Sequence, residues 1–209
     1  MKTALTILEG KWFPQSHVSI REMFNPLFTV WTSNPGLSQH YEQFTNEDAF
    51  KAAINHAFKA YQANTIYIGA HGDRNTIHGF HDEGISRAYI RNSIRQAEGS
   101  SRRGFYFGSC NFISANNARF LLESPRVAWV AGYETEVDWI DSTALDIFFL
   151  KCFLFPSPGR GRTMPRSTND RLAFASRHIN QDMGPFARRL GFHVFVRRNG
   201  NGGIKDLIS

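Results

Sequence analysis

The 209 residues, 42% of them hydrophobic and 14% aromatic, suffice for one α/β domain, residues 1–209, with a full core. Two cysteines, Cys110 and Cys152, are too few for a disulfide framework in a chain of this length, which points to a reducing compartment. Lys and Arg (24) exceed Asp and Glu (18), a formal net charge of +6, but the excess at 87–103 and 160–198 does not lie on one basic helix face beside aromatics. A solvated basic surface is therefore the reading preferred over a nucleic-acid site. The opening "MKTALTILEGKWF" lacks a signal peptide's apolar stretch, and no apolar run is long enough to span a bilayer, so a cytoplasmic protein without a membrane partner is expected.

In chain order, "TALTILEG" reads as a first strand ending on Gly10. A helix is expected around "VSIREMF", and "LFTVWTS" reads as a strand closed by a turn at Asn34-Pro35-Gly36. "TNEDAFKAAINHAFKAYQA" has Thr45 as its cap, acids in its first turn, and Phe50, Ile54, Ala57, Phe58 and Tyr61 at helical spacing. "TIYIGAHG" is an apolar run of the kind buried on both faces. "NTIHGFHD" reads as a hairpin arm, "GISRAYIRNSIRQAE" as a helix, and "GFYFGSC" as a second buried strand followed by a helix through "ISANNARFLLES". "RVAWVAGY" repeats the pattern, with "DSTALDIFFLKCFLF" as its helix and Asp141 or Ser142 as the cap. A Pro/Gly/Arg-rich loop from Pro156 to Asn169, expected to be exposed, leads to a last helix and the strand "FHVFVR". Strand and helix alternate throughout, which implies right-handed crossovers and a three-layer sandwich around a mostly parallel sheet.

Ligands of an open parallel sheet collect at the carboxyl ends of its strands. Two strands deliver reactive groups there: "TIYIGA" runs into His71 and "GFYFGS" into Cys110. Between them lie one hairpin and one crossover helix, so the two strands can be neighbours. A thiol near neutral pH is only a few per cent thiolate, and an adjacent imidazole can take its proton. Gly72 has no Cβ, so its N–H can approach a substrate carbonyl and, with the Cys110 N–H, form an oxyanion hole; one such donor is typically worth about 3 kcal/mol. Cys152, inside the apolar "IFFLKCFLF", reads as inert packing.

"IYIGAHGD" followed by "GFYFGSC" resembles the caspase-type cysteine peptidases of the caspase–haemoglobinase fold, in which one apolar strand ends in His-Gly and the next in the nucleophilic Cys. The segment "RVAWVAGYETEVDWIDSTALDIFFLKCFL" is similar to the strand, loop and helix that follow the Cys in the bacterial CHAT branch. The resemblance covers roughly Thr65 to Phe155 and implies a caspase-like thiol protease without a cofactor. His71 would be its base, Cys110 its nucleophile, and protein or peptide its substrate. The triplet before and at the nucleophile is Gly-Ser-Cys rather than the Gln-Ala-Cys of caspases, and "ESPR" is too short for their processed linker. A single-chain enzyme with its own specificity is expected, controlled by a partner protein, by oligomerisation or by a mobile loop. Related peptidases hold a P1 Arg or Lys with an acidic residue, and Asp138, in a loop with Glu134, Glu136 and Asp141, is the first choice here.

Two other readings compete. His71, His78, His81 and Cys110 are all zinc-ligand types, although their spacing matches no compact zinc motif. The basic charge could instead mark a non-enzymatic module that binds nucleic acid or a partner protein.

Overall fold

The computed structural model describes residues 4–12, 19–32, 38–59, 64–80, 84–99, 101–159, 163–198 and 203–208. Strand β1 (Ala4–Gly10) is followed by the short helix α1 (Ile20–Met23) and by α2 (Asn25–Thr32). An edge strand, β2 (Ser38–Phe44), runs parallel to β1. Helix α3 (Glu47–Lys59) then leads to β3 (Thr65–Gly69), and a small antiparallel hairpin of β4 (Thr76–His78) and β5 (Gly84–Ser86) opens α4 (Arg87–Gln96). The second half alternates β6 (Arg103–Gly108), α5 (Ala115–Leu122), β7 (Val127–Tyr133) and α6 (Trp139–Leu154). It closes with α7 (Thr168–Asp182), α8 (Gly184–Arg189), β8 (Phe192–Arg197) and β9 (Ile204–Asp206).

Seven strands form the main sheet in the order β2-β1-β3-β6-β7-β8-β9. The first five run parallel, while β8 and β9 pair antiparallel and finish one edge. Helices cover both faces. Phe50, Ile54, Ile90, Ile94 and Leu121 of α3, α4 and α5 pack on one side against Leu8, Ile66, Ile68, Phe105 and Phe107. Phe24, Leu145, Phe149, Leu172 and Ile179, from α1's end, α6 and α7, pack on the other against Leu5, Ile7, Tyr106 and Trp129. Each fully buried side chain of this size contributes about 1.5–3 kcal/mol, so a three-layer sandwich is the arrangement in which the two-sided apolar runs of β1, β3, β6 and β7 bury everything they carry.

Three local expectations change, and two strands go unannounced. "LFTVWTS" belongs to helix α2: Pro26 sits in its first turn, Leu27 and Phe28 join Phe24 in the core, and Thr29 Oγ1 donates to Asn25 O at 3.1 Å, which satisfies a β-branched residue inside a helix. The cap of α3 is Asn46, whose Oδ1 accepts from Ala49 N at 2.9 Å, rather than Thr45. The cap of α6 is Asp138, which accepts from Ile140 N and Asp141 N at 2.8 and 3.1 Å; Asp141 instead pairs with Arg189 at 2.9 Å. The polar edge strands β2 and β9 carry no alternation that marks them in the sequence. The turn at 34–36, Tyr61, His81 and residues 160–162 of the long loop lie outside the described residues. Among the described residues no helix is long and apolar enough to cross a membrane.

Candidate active site

Strand alternation builds the site. In β3 and β6 the register sets Tyr67 beside Tyr106 and Gly69 beside Gly108, and Tyr67 and Tyr106 lie on the α6 face of the sheet. Two residues beyond these glycines, in the loops that leave the strand ends, come His71 and Cys110. Alternation puts Tyr67 and Gly69, and Tyr106 and Gly108, on one face of the sheet, and the loops that follow bring His71 and Cys110 to the cavity there. The glycines clear the space between them. A Cβ at Gly108 would lie 1.9 Å from the Tyr67 hydroxyl, and one at Gly69 would lie 3.1 Å from the Tyr67 ring and 3.4 Å from that of Trp12.

The result is a cavity of about 180 Å³ at the carboxyl ends of β3 and β6, with both His71 and Cys110 in its wall. Its remaining lining is mainly aromatic and apolar: Trp12, Ile20, Tyr67, Val137 and Trp139, with Ser142 and Thr143 from α6. This is smaller than the roughly 300–1,000 Å³ of ordinary small-molecule pockets and suits one side chain of an extended peptide. Trp12 and Trp139 pack on each other, their rings 4.9 Å apart and inclined at 34°, and form one aromatic wall of it.

His71 is exposed at the mouth. Its Nε2 bonds the Trp12 carbonyl at 2.8 Å, and the Trp12 ring meets the imidazole edge to face at 5.1 Å. A carbonyl only accepts, so Nε2 carries the proton and, in the neutral ring, Nδ1 holds the lone pair that a base needs. Cys110 is partly buried, and its thiol donates to the Val137 carbonyl at 3.7 Å. The next residue, Asn111, has φ of 57°, a left-handed conformation that Asn tolerates better than most residues and that turns the chain sharply after the thiol. At Gly72 a Cβ would fall 2.8 Å from Cys110 O and 3.0 Å from the Ser109 Cβ, so only glycine lets the two loops approach this closely. Neither the Gly72 N–H nor the Cys110 N–H has an acceptor among the described residues.

Behind these groups stand two buried carboxylates that sequence reasoning missed. Glu9, at the end of β1 and level with Gly69, is 1% exposed. It accepts from Trp12 Nε1 at 2.7 Å, Ile20 N at 2.6 Å, Ser19 Oγ at 2.6 Å and the Tyr41 hydroxyl. Burial and the Glu9 hydrogen bond push the Tyr41 phenol up to about 12. Glu9 thus fastens Trp12, whose carbonyl and ring orient His71. Asp146 of α6 is also 1% exposed and accepts from Tyr67 at 2.6 Å and from Tyr106 and Tyr133. Burial raises its carboxyl to about 6, against the opposite pull of the three hydroxyls. The only sequence signal for either was an acid inside an apolar element, Glu9 in "TILEG" and Asp146 in "TALDIFF".

The other expected residues are distributed as follows. Asp138 lies at the rim, exposed, between the lining residues Val137 and Trp139. Glu134 pairs with His193 at 3.3 Å, and Glu136 is exposed. His78 pairs with Asp73 at 3.4 Å in the β4 hairpin. Among the described residues no three His, Cys, Asp or Glu side chains are grouped to hold a metal. Cys152 is 2% exposed, and burial pushes its thiol pKa up.

No protein family and no curated protein matches the chain by sequence. In three dimensions it is similar to the crystal structure of the Arg-specific cysteine proteinase gingipain R (RGPB), with a TM-score of 0.56 at 10% identity. The match covers 90% of this chain and 44% of that one, so the chain spans less than half the length of that protein. The mostly parallel sheet with helices on both faces is the caspase-like fold of that proteinase.

Proposed function

We propose that the chain is a single caspase-like peptidase domain acting as a cysteine endopeptidase. The observation that carries this reading is one small cavity walled by both His71 and Cys110, with the nearby Gly72 and Cys110 N–H groups lacking acceptors among the described residues. In the mechanism, His71 takes the thiol proton and Cys110 Sγ attacks the scissile carbonyl, whose oxygen becomes an oxyanion held by those two N–H groups. The tetrahedral intermediate collapses to a thioester as His71 passes its proton to the leaving amine. Water, deprotonated by His71, then releases the acid and restores the thiol.

The P1 side chain enters the cavity along the aromatic wall made by Trp12 and Trp139, which suits the methylene stem of a long residue. A basic P1 residue is the proposed preference. Asp138 supplies a carboxylate at the rim, and the similarly folded gingipain R is an Arg-specific proteinase. The CHAT-type branch, a cytoplasmic setting and control by a partner protein belong to the same reading, which requires no metal or cofactor.

The test is a positional-scanning peptide library read with the wild type, Cys110→Ala, His71→Ala and Asp138→Asn. Loss of cleavage is expected for Cys110→Ala, and a fall of about 10²–10⁴-fold for His71→Ala. Asn still caps a helix, so Asp138→Asn isolates the charge and should lower the preference for basic P1 residues about tenfold. Cleavage surviving both dyad substitutions rejects the proposal.

A further inference from the structure

The amino end of the sheet, opposite the cavity, gathers four arginines, Arg102, Arg103, Arg126 and Arg197. Arg103 opens β6 and Arg126 immediately precedes β7; the Arg103 N–H donates to the Arg126 carbonyl at 2.8 Å. Their guanidinium carbons lie 5.3 and 5.7 Å from the centroid of one ring, Phe58 at the end of α3. Arg102 Nε donates to Pro125 O at 3.1 Å, and Arg197 donates to Leu122 O at 2.7 Å and to Ser124 O. The loop 122–126 therefore holds all four together.

Arg103 is only 6% exposed, yet among the described residues its Nε has no hydrogen-bond partner, and the same is true of the buried Nη1 of Arg126. Nearby acids are engaged elsewhere: Glu123 with Arg91 at 2.6 Å and Glu98 with Lys59 at 2.7 Å. Burial and then the neighbouring Arg126 charge push the Arg103 pKa below its ordinary value. A buried guanidinium beside a like charge, with orphan donors, is costly unless something supplies compensating negative charge. Repulsion between surface charges alone does not explain why Arg103 is drawn under Phe58.

We propose that Arg103 and Arg126 form a binding site for a multiply charged oxyanion of the phosphate class at the amino end of the sheet. One monovalent carboxylate would leave a guanidinium uncompensated, whereas a phosphate-type group offers several oxygens and at least two charges to two planar forks. Arg102 and Arg197, anchored through backbone carbonyls, add long-range attraction. Strand β6 runs from this site to Cys110, roughly 20 Å along the sheet at the usual rise per residue, so the site is separate from the cavity and independent of the peptidase reading.

Calorimetric titration with sodium pyrophosphate, against sodium chloride of equal ionic strength, tests it on the full chain. The wild type should bind one equivalent saturably. Arg126→Gln should weaken binding at least tenfold, and Arg126→Lys, which keeps the charge but loses the fork, should fall between. Arg103→Met should lose binding while its anion-free melting temperature is not lowered, because an uncompensated buried charge has been removed; if that variant does not fold, the two Arg126 variants decide. Vesicles with and without phosphatidylinositol 4-phosphate separate the two sources of such a group: pyrophosphate-displaceable capture points to a lipid headgroup, and no capture to a soluble anion. No saturable binding at matched ionic strength, or wild-type affinity in Arg126→Gln, overturns the site. Stoichiometric binding of a single-stranded oligonucleotide that pyrophosphate cannot displace overturns it in favour of a nucleic-acid surface.

Discussion

The two faces of the central sheet are built from the same strands and have opposite characters. On the α3–α5 side the strands present Leu8, Ile66, Ile68, Phe105, Phe107 and Val130. On the α6 side, one residue out of phase, they present Tyr67, Tyr106 and Tyr133, whose hydroxyls converge on Asp146. On the first face these strand side chains are all apolar and contribute through burial. The second keeps a charged network under the cavity, at a cost in stability that depends on pH. Candidate chemistry stands on the second face, because a cavity needs residues that can be small (Gly69, Gly108) or polar (Tyr67, Ser142) without collapsing the core.

The largest expected contrast comes from the apolar face. Phe107 is fully buried against Phe112, their rings 4.9 Å apart, so Phe107→Ala should lower unfolding stability by about 3–5 kcal/mol. Denaturant titrations of this variant and the wild type should differ by the same amount across the weakly acidic range.

On the other face the effect should depend on pH. Asp146 titrates at about 6 in the folded protein against an ordinary 3.8. Between those values the folded state keeps a proton that the unfolded chain has released, so stability falls as pH rises from about 4 to 6, by roughly 3 kcal/mol at most. Asp146→Asn should remove that slope; a slope unchanged in the variant would show that the carboxyl does not carry it.

Tyr67→Phe should have the smallest effect of the three. It leaves Asp146 with two donors, costs about 1.5–3 kcal/mol at neutral pH, and moves the midpoint of the same slope upward. If the slope stays where it was, Tyr67 is not a member of the network.

Much of this was legible in the sequence, for reasons that particular residues make plain. The uninterrupted runs of β3, β6 and β7 announce strands buried on both faces, since only burial tolerates "IYIG", "FYFG" and "VAWVAG". Two apolar strands that run out at His71 and at Cys110 bring both to the carboxyl edge of the sheet, and the structure lines one cavity with both. Helix α2 was not legible, because its β-branched residues mimic a strand and only Pro26 and the packing of Leu27 and Phe28 reverse that preference. Trp12 was not legible either: it follows a strand as an unremarkable aromatic, and its role depends on Glu9, which fixes the ring over Gly69.

Most of the strand-and-helix alternation, the sheet class and the residues that could carry chemistry follow from the chain's local pattern, because hydrophobic period and strand ends are local properties. Only the tertiary structure decided which acids act as caps, which are buried beneath the site, which aromatics wall the cavity, and that four arginines converge at the far end of the sheet. Those are contacts between segments distant along the chain, and nothing in a local run of residues encodes which partner will arrive.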